Sequence, residues 1–206
     1  MKLLYSLTSP YARKVRIVAA EKRIELELEP VVLSSPDSPV PAYNPLSKVP
    51  VLILDDGTSL FDSRVIAEFL DGRNPLAHLI PLDQAQRIMV KRWEALADGA
   101  TDAAVAALLE SRRPQNLQDP AWISKQRSKV EHGLKALSDD LGKSKWCVND
   151  TFSLGDIALG CFLGYLDLRY QDINWKHQYP NLARHYDKLM KRASFKDSVP
   201  VDNKAS

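Results

Sequence analysis

The stretch N-P-L-S-K-V-P-V-L-I-L-D-D-G-T-S-L-F-D-S, residues 44–63, decides how the chain folds. Residues 51–54 form a continuous run of branched apolar side chains of strand length. Asp55, Asp56 and Gly57 then supply a tight turn in which Gly tolerates positive φ. The return strand covers residues 58–61 and stops at Asp62 and Ser63, both good N-cap residues, after which Val65, Ile66, Phe69 and Leu70 recur at helical spacing. A hairpin leading directly into a helix is predicted.

Two features of this stretch suit a peptide-like anionic guest. Pro50 cannot donate to a strand ladder, so Val49 before it lies at a strand entrance with backbone groups free to pair with an extended ligand. A cis Val49–Pro50 bond would be one way to hold that edge open. At the other end, the free N–H groups and positive dipole of the helix opening at Ser63 would attract a carboxylate. On these residues alone a second reading stands beside the first: a buried hairpin followed by an ordinary capped helix.

Toward the N-terminus, residues 2–6 read as a first strand. Ser9 and Pro10 then cap and open a helix whose inward stripe is Tyr11, Val15, Val18 and Ala19. Ile24, Leu26 and Leu28 alternate strictly with Glu25, Glu27 and Glu29, the period of a strand. Prolines at 30, 36, 39, 41 and 45 leave room for at most one helical turn before the hairpin. The order is β-α-β, an irregular segment, then β-β-α: one small mixed sheet.

Residues 72–81 carry two prolines and no period, as an interdomain connector does. Everything beyond them reads as helix. Asp83 caps a long segment with Ile88, Trp93, Leu96, Ala97, Ala100, Ala104, Ala107 and Leu108 at three- and four-residue steps, and Asp119–Pro120 opens the next, with Ile123, Val130, Leu134, Leu137 and Leu141 inward. Ser153 and Asp156 form a capping-box pattern flanked by Phe152 and Ile157, and residues 157–165 are apolar or small on nearly every side, which predicts a helix buried within the second domain. Asn181 is read as the cap of a last helix with Leu182, Tyr186 and Leu189 inward, and Lys191 and Arg192 as favouring its C-terminal end.

The 206 residues, with 45% hydrophobic and 26% charged content, can bury substantial cores. A net charge of +2 gives no global field for nucleic acid or an anionic membrane, and no apolar run reaches the length of a membrane span. A soluble, unprocessed cytoplasmic protein is expected. Cys147 and Cys161 are too few for a disulfide framework and lack metal-ligand spacing. Cys161 is read as core and Cys147, beside Trp146, as structural. His78, His132, His177 and His185 are read as solvated or packing residues, and no metal is expected.

The motifs S-P-Y-A-R-K-V-R at the first helix, N-P-L-S-K-V-P-V-L, F-D-S before the third helix and T-F-S-L-G-D-I-A in the second domain together resemble the cytosolic glutathione S-transferases over nearly the whole chain. The likeness is nearest to the bacterial YibF-like subgroup, with some similarity to the zeta and omega classes. It implies an α+β fold: a thioredoxin-like glutathione-binding domain over residues 1–76 and an all-α bundle over residues 83–206 that contributes the electrophile pocket. It further implies glutathione as co-substrate, a small hydrophobic electrophile as second substrate and a homodimer.

Carried onto matching residues, the resemblance implies that Val49 pairs its backbone with the cysteinyl unit beside a cis Pro50. Asp62 and Ser63 would hold the γ-glutamyl end, and Lys48 would reach the glycyl carboxylate unless it is simply solvated. Ser9 falls where the family keeps its catalytic Ser or Cys, with Thr8 as the competing hydroxyl, Tyr5 as a strand side chain and plain helix capping as the other role open to Ser9. The absence of a Cys there argues against mixed-disulfide chemistry. Trp93, Trp122 and Trp175 are candidates for either pocket or core. Asp98 and Asp102 are read as solvated, although acidic residues on that helix reach a partner's glutathione in some relatives. The implied activity is conjugation of glutathione to electrophiles or reduction of peroxides. The alternatives are a non-catalytic scaffold, like the transferase-like proteins that attach to RNA polymerase or translation factors, and a zeta-like isomerase, from whose S-S-C-S-W-R start T-S-P-Y-A-R departs.

Overall fold

The computed structural model describes residues 1–76 and 78–201. They divide into two compact units, Met1–Ile80 with the C-terminal residues from Arg192, and Pro81–Lys191.

In the first unit, β1 (Lys2–Tyr5), α1 (Pro10–Glu21), β2 (Glu27–Pro30), α2 (Val40–Tyr43), β3 (Val51–Ile53), β4 (Ser59–Leu60) and α3 (Ser63–Gly72) follow in order. The sheet order is β2-β1-β3-β4, with β2 parallel to β1 and the other two pairs antiparallel. Alternation along the strands divides the apolar residues between the two faces. Leu4 and Val51 cluster with Val40 of α2, while Leu3 and Leu52, paired in register and fully buried, face the other way. α1 packs against α3. As expected, Gly57 turns the hairpin at φ +86°, and Ser9 caps α1 by accepting from Ala12 N at 3.2 Å. β2 starts three residues later than the Glu/Leu alternation suggests. Arg23, at φ 53°, and the bond from Ile24 N to Ala19 O (2.9 Å) close the end of α1 before the chain can extend.

Two buried polar groups tie this unit together. The Nζ of Lys22, 0% exposed, donates to the carbonyls of Asn74 (3.1 Å) and Leu76 (2.6 Å) and lies 3.2 Å from Asp71. Asp71 in turn accepts from Leu79 N (2.8 Å) and Ile80 N (3.1 Å). Arg192 pairs with Glu21 of α1 at 2.6 Å, and α9 (Ala193–Lys196) packs on α1 after the helices described next.

The second unit holds α4 (Gln84–Ser111), α5 (Pro120–Leu141), α6 (Leu154–Arg169), α7 (Trp175–Gln178) and α8 (Pro180–Leu189). Its core gathers the alanine stripe of α4 (Ala97, Ala100, Ala104, Ala107) with Leu134 and Leu137 of α5 and Leu159, Phe162, Leu163 and Leu166 of α6. Small residues let the helices approach closely: a Cβ added at Gly133 of α5 would lie 2.7 Å from Ala100 Cβ. Asp83 and Asp119 cap α4 and α5 as their sequence context predicts. The α6 box also forms, with Asp156 Oδ2 accepting from Ser153 N (2.9 Å) and Ser153 Oγ (3.0 Å). α6 is buried from Leu154 to Leu166.

Three side-chain readings are corrected by burial and partners. Asn181 is not a cap, because Tyr179 precedes α8 and Pro180 opens it. Its amide instead donates to the carbonyls of Ser138 (2.8 Å) and Gly142 (3.3 Å) at the end of α5. α8 ends at Leu189, short of Lys191 and Arg192. Asp98, read as solvated, is 5% exposed, while Asp102 is exposed. The first unit has a thioredoxin-like arrangement and the second is an all-helical bundle, the α+β class expected.

Candidate functional site

Strand register gathers the predicted site residues at one end of the sheet. β1 runs toward Tyr5 and β3 runs antiparallel from Val51, with Leu4 opposite Val51; β4 returns with Leu60 opposite Leu52. The loop after β1 carrying Thr8 and Ser9, the loop before β3 carrying Lys48 and Val49, and the residues after β4, Asp62 and Ser63, therefore all leave the sheet at the same end.

Ser9 is half-buried at the mouth of α1. Its Oγ accepts from Ala12 N, and a hydroxyl that accepts still has its own proton to donate. The α1 N-terminus adds a positive dipole end. Thr8 Oγ1 lies 3.4 Å from Ser6 Oγ, within reach of a local hydroxyl pair.

Val49 is 8% exposed, and its bond to Pro50 is cis. Among the described residues no backbone hydrogen bond engages Val49, although Leu4 and Val51 are paired just beyond it. Lys48 is exposed. The loop that presents both is held by Asn44, 3% exposed, whose side chain donates to Lys48 O (2.9 Å) and accepts from Leu46 N (3.0 Å). Sequence reasoning assigned Asn44 no role. Its signal was present in the Asn–Pro pair, because an Asn side chain readily bonds to backbone two residues on.

Asp62 is exposed at the cap of α3 and accepts from Arg64 N at 2.8 Å. Ser63 is the first helical residue and is 2% exposed, and its hydroxyl makes no intramolecular hydrogen bond among the described residues. The end of the sheet thus presents two helix N-termini, one unpaired backbone segment, the three hydroxyls of Thr8, Ser9 and Ser63, and a lysine. This set can hold an extended, multiply charged peptide and stabilise an anion beside Ser9.

The remaining candidates pack elsewhere. Trp93 and Trp175 are each 2% exposed in the helical core, while Trp122 is 43% exposed. Cys161 is buried in α6. Burial, with the Asp156 carboxylate nearby, pushes the Cys147 thiol well above its ordinary range, so it is a poor nucleophile. His185, read only as solvated or packing, is 4% exposed and has Nε2 3.0 Å from Asp156 Oδ1. No helix among the described residues is long and apolar enough to cross a membrane.

Residues 8–73 match the family model for the glutathione S-transferase N-terminal domain, and residues 120–188 match that for its C-terminal domain. A glutathione S-transferase from Methylobacillus flagellatus KT, solved with GSH bound, is 66% identical with a TM-score of 0.96, covering 97% of this chain and 99% of its own. One from Methylobacterium radiotolerans, in complex with glutathione sulfonate, is 40% identical with a TM-score of 0.95, covering 100% and 97%. The uncharacterized GST-like protein YibF of Escherichia coli K12 is 36% identical over 97% of this chain and 98% of its own. Both halves match family models and these likenesses run nearly end to end: the chain belongs to the glutathione S-transferase family.

Proposed function

We propose that the chain binds glutathione at the gathered end of its four-stranded sheet. There it activates the thiol for conjugation to small hydrophobic electrophiles or for peroxide reduction. The observation that carries this reading is the convergence there of the Ser9 and Ser63 helix starts with the unpaired Val49 backbone. Residues 1–76 supply the glutathione site, and the helical part of residues 83–206, which ends at Lys191 because the chain from Arg192 packs with the first unit, contributes the electrophile pocket. Val49 pairs with the cysteinyl unit, Lys48 meets the glycyl carboxylate, and Asp62 and Ser63 hold the γ-glutamyl end. The ligands of the two relatives named above support the choice of glutathione. The working form is a cytoplasmic homodimer.

The chemical task is to favour thiolate over thiol. A free thiol has a pKa near ~8.5, and each unit of lowering requires about 1.4 kcal/mol of preferential stabilisation of the anion. Ser9 donates one charge-assisted hydrogen bond to the sulfur, and the α1 N-terminus adds its dipole. Because the hydroxyl acts on the sulfur and not on the peptide frame, its loss changes rate more than affinity.

The test is Ser9→Ala, with glutathione binding followed by calorimetry and conjugation by absorbance with an aromatic electrophile. Affinity should stay nearly intact while the rate falls about 10- to 150-fold, the equivalent of one charge-assisted hydrogen bond. Ser9→Cys, incubated with oxidised glutathione, should instead form a mixed disulfide by thiolate attack on the glutathione disulfide with release of one reduced glutathione, visible by intact mass, since a thiol at a helix N-terminus ionises readily. A wild-type rate in Ser9→Ala together with no adduct in Ser9→Cys would leave Ser9 as a cap and move the test to Thr8.

A further inference from the structure

Within the helical unit, the end of α5, the loop after it and one face of α8 line a half-open surface cavity of about 200 Å³. Its walls carry four cationic side chains, Lys143, Lys145, Arg184 and Lys188, together with the imidazole of His185 and no carboxylate. Arg184, His185 and Lys188 share a face of α8 by their spacing. Lys188 is tied in place, donating to the Lys145 carbonyl and lying 3.6 Å from the ring centre of Trp146. Lys143, Lys145 and Arg184 are exposed, and among the described residues no acid pairs with their side chains. The nearest acids along α5 are engaged elsewhere, Asp139 with Lys135 (2.6 Å) and Asp140 with Arg92 (2.5 Å).

Two further features make this more than a run of surface lysines. The carbonyls at the end of α5, which would repel an anion, are covered by the Asn181 amide, donating to Ser138 O and Gly142 O. The imidazole of His185 is backed by a fully buried carboxylate: Asp156 sits 3.0 Å from its Nε2 and is itself held by Cys147 N and Ser153. A carboxylate this close to the ring holds the imidazole in its orientation. The ligand atoms of Cys147, Asp156 and His185 lie within 4.8 Å of one another, but the cations around them oppose a divalent metal, and the Asp156 oxygens already accept hydrogen bonds.

We propose that this cavity is a binding site for a small phosphate-bearing anion about the size of pyrophosphate, gripped by Lys143, Lys145 and Arg184 with His185 beneath. Several cations around one small cavity match a multiply charged ligand, and the Arg184 fork matches phosphate geometry. A net charge of +2 and a cavity this small disfavour a polynucleotide.

The test is calorimetric titration of the full chain with inorganic pyrophosphate at about 20 mM salt, where surface electrostatics are weakly screened. Glutathione is kept saturating so that the site of the proposed function is filled, and its own binding is measured separately, so failure of either site is read independently. Wild type should bind one pyrophosphate with a Kd below about 1 mM, weakening as salt rises. The double variant Lys143→Gln/Arg184→Gln removes two exposed side chains without internal partners. It should keep the wild-type melting temperature and bind at least about tenfold more weakly. A wild-type Kd above about 1 mM, or equal affinity in the double variant, would overturn the proposal.

Discussion

Replacing Asp156 by Ala removes a carboxylate with 0% exposure whose oxygens accept from Cys147 N (2.9 Å), Ser153 N (2.9 Å) and Ser153 Oγ (3.0 Å), with His185 Nε2 3.0 Å away. Leaving a buried N–H unsatisfied costs about 1–3 kcal/mol, here for both Cys147 N and Ser153 N, and loss of a helix cap costs about 0.5–2 kcal/mol. These contributions overlap on the same atoms, so the expected loss is about 3–5 kcal/mol and not their sum. For a chain of this length that is a fall of roughly 6–20 °C in melting temperature. All four tryptophans (93, 122, 146 and 175) lie in the helical unit, so urea melts followed by tryptophan fluorescence read that unit directly. Asp156→Asn keeps an acceptor and the shape, and should lose less. Burial pushes the Asp156 carboxyl up, but the His185 imidazole and the Cys147 N–H outweigh it and leave the folded value below the ordinary 3.8. The stabilisation is therefore present above the unfolded value and disappears as pH falls through the folded one. The gap between wild type and Asp156→Asn should close below about pH 4. A loss under about 1 kcal/mol in Asp156→Ala would refute this account of the α6 box.

Two glycines should respond in opposite directions to the same change. Gly133→Ala puts a Cβ 2.7 Å from Ala100 Cβ and should destabilise by about 1 kcal/mol or more, whereas Gly99→Ala, with nothing within 4 Å, should stabilise by about 1 kcal/mol; shifts of the same sign in urea melts would contradict the close α4–α5 packing. Asp62→Ala, and less strongly Ser63→Ala, should weaken glutathione binding by about 1.5–3 kcal/mol; calorimetry showing unchanged affinity in both would remove the α3 start from the site. Sedimentation should find twice the 23.1 kDa chain mass at micromolar concentration, with exposed Leu82 (79%), Ile88 (55%) and Met89 (44%) as candidates for coverage; a 23.1 kDa species would exclude the dimer.

What was legible in the sequence was local. The Asp-Asp-Gly turn, the caps at Ser9, Asp83 and Asp119 and the Ser153–Asp156 box each depend on residues within a few positions of one another, and each formed. The α5 stripe was likewise readable, since Val130, Leu134 and Leu137 are buried at the steps their spacing demands. Long-range partners were not. Glu21 and Arg192 are 171 residues apart, and Lys22 and Asp71 are 49 positions apart by number, so no periodicity announces either pair. The same blindness hid His185, whose partner Asp156 lies on another helix, and Asn181, whose cap-like context was overridden by the carbonyls of α5. At the candidate site, residue types and their order were readable. The free backbone at Val49 and the Asn44 brace depend on strand register and loop shape, which only the fold supplies.

The buried amine of Lys22 turns the segment after α3 into its own reporter. An acylating reagent can reach that nitrogen only when Asp71 and the carbonyls of Asn74 and Leu76 let go, whereas exposed amines such as Lys48 and Lys143 react at once. The delay between those two classes in a peptide map, measured against time, gives the opening equilibrium of residues 74–76 without any mutation or bound ligand.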